Sequence, residues 1–284
     1  MKFYNGNAEL YIPDGAEEKT ALARTTDLCI AAHQDDIEIM AFAPAAACYG
    51  KQNKWFTGVV VTDGAGSPRT GIYKDYTDEE MKRVRIGEQK RAAAVGGYSA
   101  QFLLGYPSAA VKDPDSSGRS AVTEELAAVI AQCAPETLYI HNFADKHDTH
   151  VATALRAAEA VRSLPPEKRP AKIYALEVWR GLDWLCDEDK VCFDTAAHPN
   201  LAAALLGVYD SQIAGGKRYD SAAIGRRLAN ATFYASHDTD SFESCSYGID
   251  VTDCIVGGEP PQDFICSYIR KFESEVRSRI GRLL

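Results

Sequence analysis

Short apolar runs recur along the first two thirds of the chain, separated by segments whose apolar positions repeat every three to four residues. The runs Leu28–Ala32, Trp55–Thr62, Gln101–Leu104, Thr137–His141 and Lys172–Val178 have the length and β-branched content of strands buried on both faces. The intervening segments read as helices. The clearest opens with Thr77-Asp78-Glu79-Glu80, a capping-box pattern, and stops at Gly96-Gly97. A second follows Thr123, from Glu124 to Cys133, and a third runs from about Thr149 to Ser163, where Leu164-Pro165-Pro166 ends it. Strand and helix alternating at this pace predict βα units on a mostly parallel sheet, doubly wound in the order 3-2-1-4-5.

Beyond residue 180 the pattern turns mainly helical. Leu201–Tyr209, Ala222–Phe233 and Asp263–Leu284 are helix candidates, with short apolar segments near Ile249–Val251. No Pro/Gly/Ser-rich linker sets this part off. The expectation is therefore one domain over 1–284, with a core at about 25–180 and a helical C-terminal extension at about 181–284. Two loops, Asp63–Arg69 and Asp113–Gly118, fall on the sheet edge where strands end.

Composition narrows the partners. A net charge of -9 argues against nucleic acid or an anionic membrane, and a small polar molecule fits better. No apolar run reaches the ~20 residues of a membrane span, and the first residues lack a basic segment followed by an apolar one, so a cytoplasmic protein is expected. The eight cysteines form no CxxC pair and read as buried free thiols. A homo-oligomer is the one protein assembly this reading allows.

Chemistry concentrates at two places. The first strand ends in Ala31-Ala32-His33-Gln34-Asp35-Asp36, and the fourth is followed by His147-Asp148-Thr149-His150. In the order 3-2-1-4-5 the first and fourth strands are neighbours whose connections leave in opposite directions, which opens the crevice where such sheets bind ligands. The two clusters should face each other there. Imidazoles and a carboxylate around an open position suit Zn²⁺, with Fe²⁺ as the alternative, better than the oxygen-seeking Mg²⁺. Of the adjacent Asp35 and Asp36, one can bind the ion and the other can act as base toward a water. The plainer alternatives are helix-capping carboxylates and solvated histidines. His141 reads as a packed strand-end residue, and His237 as a lone surface histidine.

The segment AAHQDD resembles the AHPDD motif of the LmbE-like, or PIG-L, family of metal-dependent N-deacetylases, and HDTH resembles that family's HPDH motif. Arg85-Ile86-Gly87-Glu88, followed by Ala92-Ala93 and Gly96, is similar to the family's helix between strands two and three. The resemblance covers roughly residues 25–180 and implies a Rossmann-like fold. It implies His33, Asp36 and His150 as metal ligands, Asp35 as general base and His147 as electrostatic stabiliser or general acid. The implied reaction removes an acetyl group from an N-acetyl amino sugar or its conjugate. Departures stand out: Gln34 replaces proline, and Asp148-Thr149 replace Pro-Asp, so the aspartate that would support the second histidine is displaced or missing.

Arg85, Trp179 and Arg180 are the candidates for substrate contact, the last two directly after the fifth strand. Other functions are a metal-dependent phosphoesterase, which would want further carboxylates, and a non-catalytic sugar-binding member of the same fold. A dinucleotide site at Asp63-Gly64-Ala65-Gly66 would lack the third glycine and follows the wrong strand.

Overall fold

The computed structural model describes residues 1–114 and 117–284. In chain order the elements begin β1 (Glu9–Tyr11), α1 (Glu18–Ala23), β2 (Asp27–Ala31), α2 (Asp36–Met40), α3 (Phe42–Cys48), β3 (Phe56–Thr62), α4 (Asp78–Val95), β4 (Ala100–Tyr106) and α5 (Ser108–Lys112). They continue with α6 (Ser117–Cys133), β5 (Thr137–His141), α7 (Asp148–Ser163), β6 (Lys172–Leu176), β7 (Val191–Asp194), α8 (Pro199–Gly207) and α9 (Asp210–Ile213). The chain closes with α10 (Tyr219–Thr232), β8 (Cys245–Asp250), α11 (Thr252–Gly257) and α12 (Pro261–Leu283).

One sheet runs β1-β4-β3-β2-β5-β6-β8-β7. Its five central strands are parallel and stand in the order the sequence predicts. Each is buried on both faces, so alternate side chains go to opposite cores. Leu28 and Ile30 of β2 pack with Val122, Leu126 and Val129 of α6 and with Ala157 and Val161 of α7. Cys29 and Ala31 face Ile37 and Met40 of α2 and Ala45 of α3 on the other side. The doubly wound reading thus rests on real layers, and β2 and β5 form the central pair.

Three outer strands, all antiparallel to their neighbours, were not foreseen. β1 pairs antiparallel with β4, and β8 lies antiparallel between β6 and β7. The C-terminal part is consequently not helical alone: β7 and β8 extend the same sheet, their alternation masked by short length and flanking serines. Helix α6 also starts earlier than expected, at Ser117 rather than after Thr123. Val122, buried with Leu126, Val129, Ile130 and Cys133, continues the apolar face backwards, while Thr123 donates to Glu159 Oε2 at 3.2 Å instead of capping. The expected loop Asp113–Gly118 lies partly outside the described residues. For α4 the capping box is present, with Glu80 N donating to Thr77 Oγ1 and Thr77 N to Glu80 Oε2.

All eight cysteines are free. Among the described residues no helix is long and apolar enough to cross a membrane. Helix α8 packs Leu201 and Leu205 against Phe42 of α3 and Ala92 of α4, which brings α9 and α10 over the carboxyl ends of β2 and β5.

Candidate active site and metal centre

At the end of β2 the chain turns sharply into α2. Asp35 takes φ 86° and ψ -30°, a conformation an L-residue holds at a cost of about 1–3 kcal/mol unless its surroundings impose it. Those surroundings are explicit. Asp35 N donates to Gln89 Oε1 at 3.3 Å, and the Gln34 side chain is buried with Nε2 donating to the Thr62 carbonyl at 3.2 Å. The residue in the place of the family's proline therefore ties the loop to β3 by a hydrogen bond. Gly64 makes room for it: at φ +76°, an added Cβ would stand 2.6 Å from Gln34 Oε1. The Gly64 loop is a close-approach device, with no helix start behind it to cradle a phosphate.

The turn aims Asp36 at the strand β5 side. Asp36 Oδ2 accepts from His33 N at 2.8 Å and lies 3.2 Å from both His33 Nδ1 and His150 Nε2, which are 3.1 Å from each other. Ligands held at about 2.0–2.1 Å around one tetrahedral ion stand roughly 3.3 Å apart, so this triangle fits a borderline divalent ion. Burial would raise the Asp36 pKa, yet His150 and His33 hold it well below the usual carboxylate range. His150, opposed by its own burial, is pushed up to about 9 by Asp36 and Asp145.

Two further histidines complete a stack. His147 lies 4.6 Å from the His150 ring and His141 lies 4.0 Å from it on the strand end. Ala32 N donates to His141 Nε2 at 2.9 Å, which leaves the proton of this buried ring on Nδ1, an atom with no partner. Burial lowers the His141 pKa well below that of a free imidazole. Histidine and carboxylate atoms close enough to share an ion comprise His33, His147 and His150, and also Asp36, His141 and His150. A third group, Cys186, Glu188 and Asp189, is bound up with Lys271 through both acidic side chains.

Asp35 stands apart from the triangle. Its Oδ2 accepts from Arg85 Nη2 at 3.0 Å, and burial pushes its pKa up to about 6 against the pull of Arg85. Arg85 is no solvated helix arginine: its side chain is 2% exposed and is also held by Glu88 at 3.3 Å and by the Gln34 carbonyl. It lines the cavity and also orients Asp35. Trp179 does line the cavity, stacking 6.3 Å from His147, but Arg180 is exposed and outside the lining; Arg226 and Lys217 occupy the position expected of it.

The sequence reading missed Asp145. Its Oδ2 lies 3.3 Å from His150 Nδ1 and accepts from Trp179 N at 3.1 Å, while Oδ1 accepts from His147 N at 3.1 Å. This is the carboxylate that HDTH lacks, moved two residues ahead of His147. The signal was available in the demand itself, since a ligating imidazole donates its other N–H to a carboxylate or carbonyl.

The cavity above these groups has a volume of about 510 Å³, with His33, Asp35, Asp36 and His147 on its floor. Gly64, Ser67 and Pro68 form one rim, and Gln212, Tyr219 and Ala223 of the C-terminal part form the opposite one. The arrangement can hold an ion on one side of a bound amide and a carboxylate on the other.

A doubly wound α/β sheet with a His/His/Asp triangle at its central crevice defines the class: Rossmann-like proteins with a candidate metal centre. Residues 28–161 match the model of the PIG-L family, described as GlcNAc-PI de-N-acetylase. No curated protein matches the full sequence. Among solved structures it is similar to GalB, the 4-carboxy-2-hydroxymuconate hydratase of Pseudomonas putida, at TM-score 0.60 and 18% identity over 80% of this chain and 95% of that one. It is also similar to the N,N'-diacetylchitobiose deacetylase of Pyrococcus horikoshii, at TM-score 0.58 and 17% identity over 83% and 88%. The A40926 pseudoaglycone deacetylase Dbv21 follows at TM-score 0.52 and 16% identity over 80% and 97%. At such identities these likenesses establish the fold.

Proposed function

We propose that the protein is a metal-dependent N-deacetylase acting on an N-acetylated amino sugar or its conjugate, with zinc as the ion. The observation that carries this is the triangle of His33 Nδ1, Asp36 Oδ2 and His150 Nε2, 3.1–3.2 Å on each side, with Asp35 beside it and outside it. The match to a family described as de-N-acetylases supports the same reaction. When bound, a divalent ion supplies Lewis acidity and lowers the pKa of a water from about 15.7 toward 7.

The remaining steps belong to the chain. Asp35, fixed by Arg85 and with a pKa near 6, takes the proton of the attacking water as it adds to the amide carbonyl carbon. His147, half-buried on the cavity floor with its ring 4.9 Å from that of His33, stabilises the oxyanion that develops. The C–N bond then breaks, the amine leaves with the proton returned from Asp35, and acetate remains. Trp179 offers a flat apolar face for a sugar ring.

Asp35→Asn tests the assignment. The variant should keep its metal, measured by elemental analysis, and lose ~10²-fold or more in acetate release across a panel of N-acetylated sugars. An unimpaired rate with metal bound would remove Asp35 as base. Turnover of chromogenic phosphate esters, with no acetate released, would favour a phosphoesterase instead.

A further inference from the structure

The cavity's charges are not those of the whole protein. In a chain of net charge -9, the only acids lining it among the described residues are Asp35 and Asp36, and both have partners: Arg85 for the first, His33 and His150 for the second. The same lining carries Lys112, Lys217 and Arg226, and none of these makes a salt bridge among the described residues. Arg226 donates to the Val178 carbonyl through Nη1 and feels the buried Glu177 carboxylate at a distance, short of an ion pair. Lys217 Nζ lies 5.1 Å from the Trp179 ring and Lys146 Nζ lies 5.9 Å from it. Cations thus stand one indole away from His147, around the face on which a sugar would lie.

Lys112 and Lys217 line the cavity without an ion-pair partner among the described residues, and nothing in the fold requires either to be cationic. An anionic ligand resolves the arrangement. We infer that the substrate of this site is an anionic N-acyl amine, whose carboxylate or phosphate meets Lys217 and Arg226 beside Trp179 while its amide lies at the His33, Asp36 and His150 set. The inference rests on the deacetylase reading for the reaction, though not for the binding. Phosphate and carboxylate share the chemistry the cations require, charge-assisted hydrogen bonds to oxygen.

The test compares the metal-loaded protein on methyl N-acetylglucosaminide, its carboxymethyl counterpart and N-acetylglucosamine 1-phosphate. An anionic substrate should be preferred about tenfold or more in kcat/KM, mainly through KM. That preference should shrink about tenfold in Lys217→Ala and in Arg226→Gln, and should fall as salt rises. Whichever anion shows the larger preference identifies the group. Equal use of the neutral substrate, with a ratio the two variants do not move, overturns the inference and leaves the deacetylase reading standing. If no substrate releases acetate, calorimetry with glucosamine 1-phosphate and methyl glucosaminide decides. Tighter binding of the phosphate, lost in Lys217→Ala, supports the anion site while the reaction assignment fails; equal or absent binding overturns the site.

Discussion

Asp145→Asn isolates the group that supports His150. The carboxylate is fully buried and accepts three contacts, from the His150 ring at 3.3 Å, Trp179 N at 3.1 Å and His147 N at 3.1 Å. Asparagine keeps the shape and one oxygen. If that oxygen stays toward His150 and Trp179, the new amide faces the His147 N–H and leaves it without an acceptor, a cost of about 1–3 kcal/mol. If the amide flips, His150 Nδ1 and Trp179 N both lose their acceptor instead. In either case the negative charge that raises the basicity of His150 is gone, and loss of such a supporting group weakens metal binding by about 10–100-fold, roughly 1.4–2.7 kcal/mol. Zinc titration against a competing chelator reads the affinity, and thermal unfolding in excess chelator reads the fold separately. The expected result is a weaker zinc Kd by 10–100-fold together with a modest fall in Tm. A lower Tm with an unchanged Kd would refute the reasoning, because Asp145 would then merely fasten the loop.

Other consequences can be measured directly. Chelation should lower the Tm of the metal-loaded protein, since an ion at 100 times its Kd stabilises the folded state by about 2.7 kcal/mol; a Tm indifferent to chelator and to added zinc would argue against a metal centre. Gly64→Ala should destabilise by about 1–3 kcal/mol, from φ +76° and the 2.6 Å approach to Gln34 Oε1, and denaturant unfolding checks it. Arg227→Met should cost a similar ~1–3 kcal/mol and weaken zinc binding, because Arg227 Nη2 donates to the Glu38 and Ile39 carbonyls at 2.7 and 3.1 Å and so fixes α2, which begins at Asp36. Thr77→Ala, removing a capping box far from the floor of the cavity, should cost about 1 kcal/mol in stability, with zinc affinity as the control readout.

What the sequence disclosed and what it hid differ in physical kind. The central strands were legible because burial on both faces leaves continuous apolar runs such as Phe56–Thr62, and their order follows from the handedness and economy of βα connections. The meeting of His33 with His150 followed from that order. The outer antiparallel strands left no such trace: Glu9–Tyr11 has three half-buried residues, and Cys245–Asp250 contains Ser246 and Gly248. Arg85 shows a different limit. Its neighbours Lys82, Arg83 and Lys90 make a solvated face the natural reading, and only the approach of Ser211, whose N and Oγ both donate to Glu88 at 2.7 Å, turns that side of α4 inward. No local pattern announces a contact between residues so far apart in sequence.

That contact changes how the C-terminal part should be understood. Tyr209 places its hydroxyl 2.6 Å from Glu38 Oε2 and 2.8 Å from Gln89 Oε1, with Glu38 also taking Tyr98 at 2.9 Å. One hydroxyl hydrogen cannot satisfy two acceptor oxygens, and a proton on Glu38, whose pKa burial pushes up to about 7, removes the conflict. Gln89 held in this way accepts from Asp35 N and keeps the strained φ of 86° in place. The line of support therefore runs from Tyr209 through Gln89 to Asp35, and from Ser211 through Glu88 and Arg85 to the same carboxylate. Fold likeness to a hydratase and to deacetylases alike leaves the reaction to such details. The residues beyond 180 hold Asp35 in position and supply Lys217, Tyr219 and Arg226 to the cavity, so the site is built by both parts of the chain.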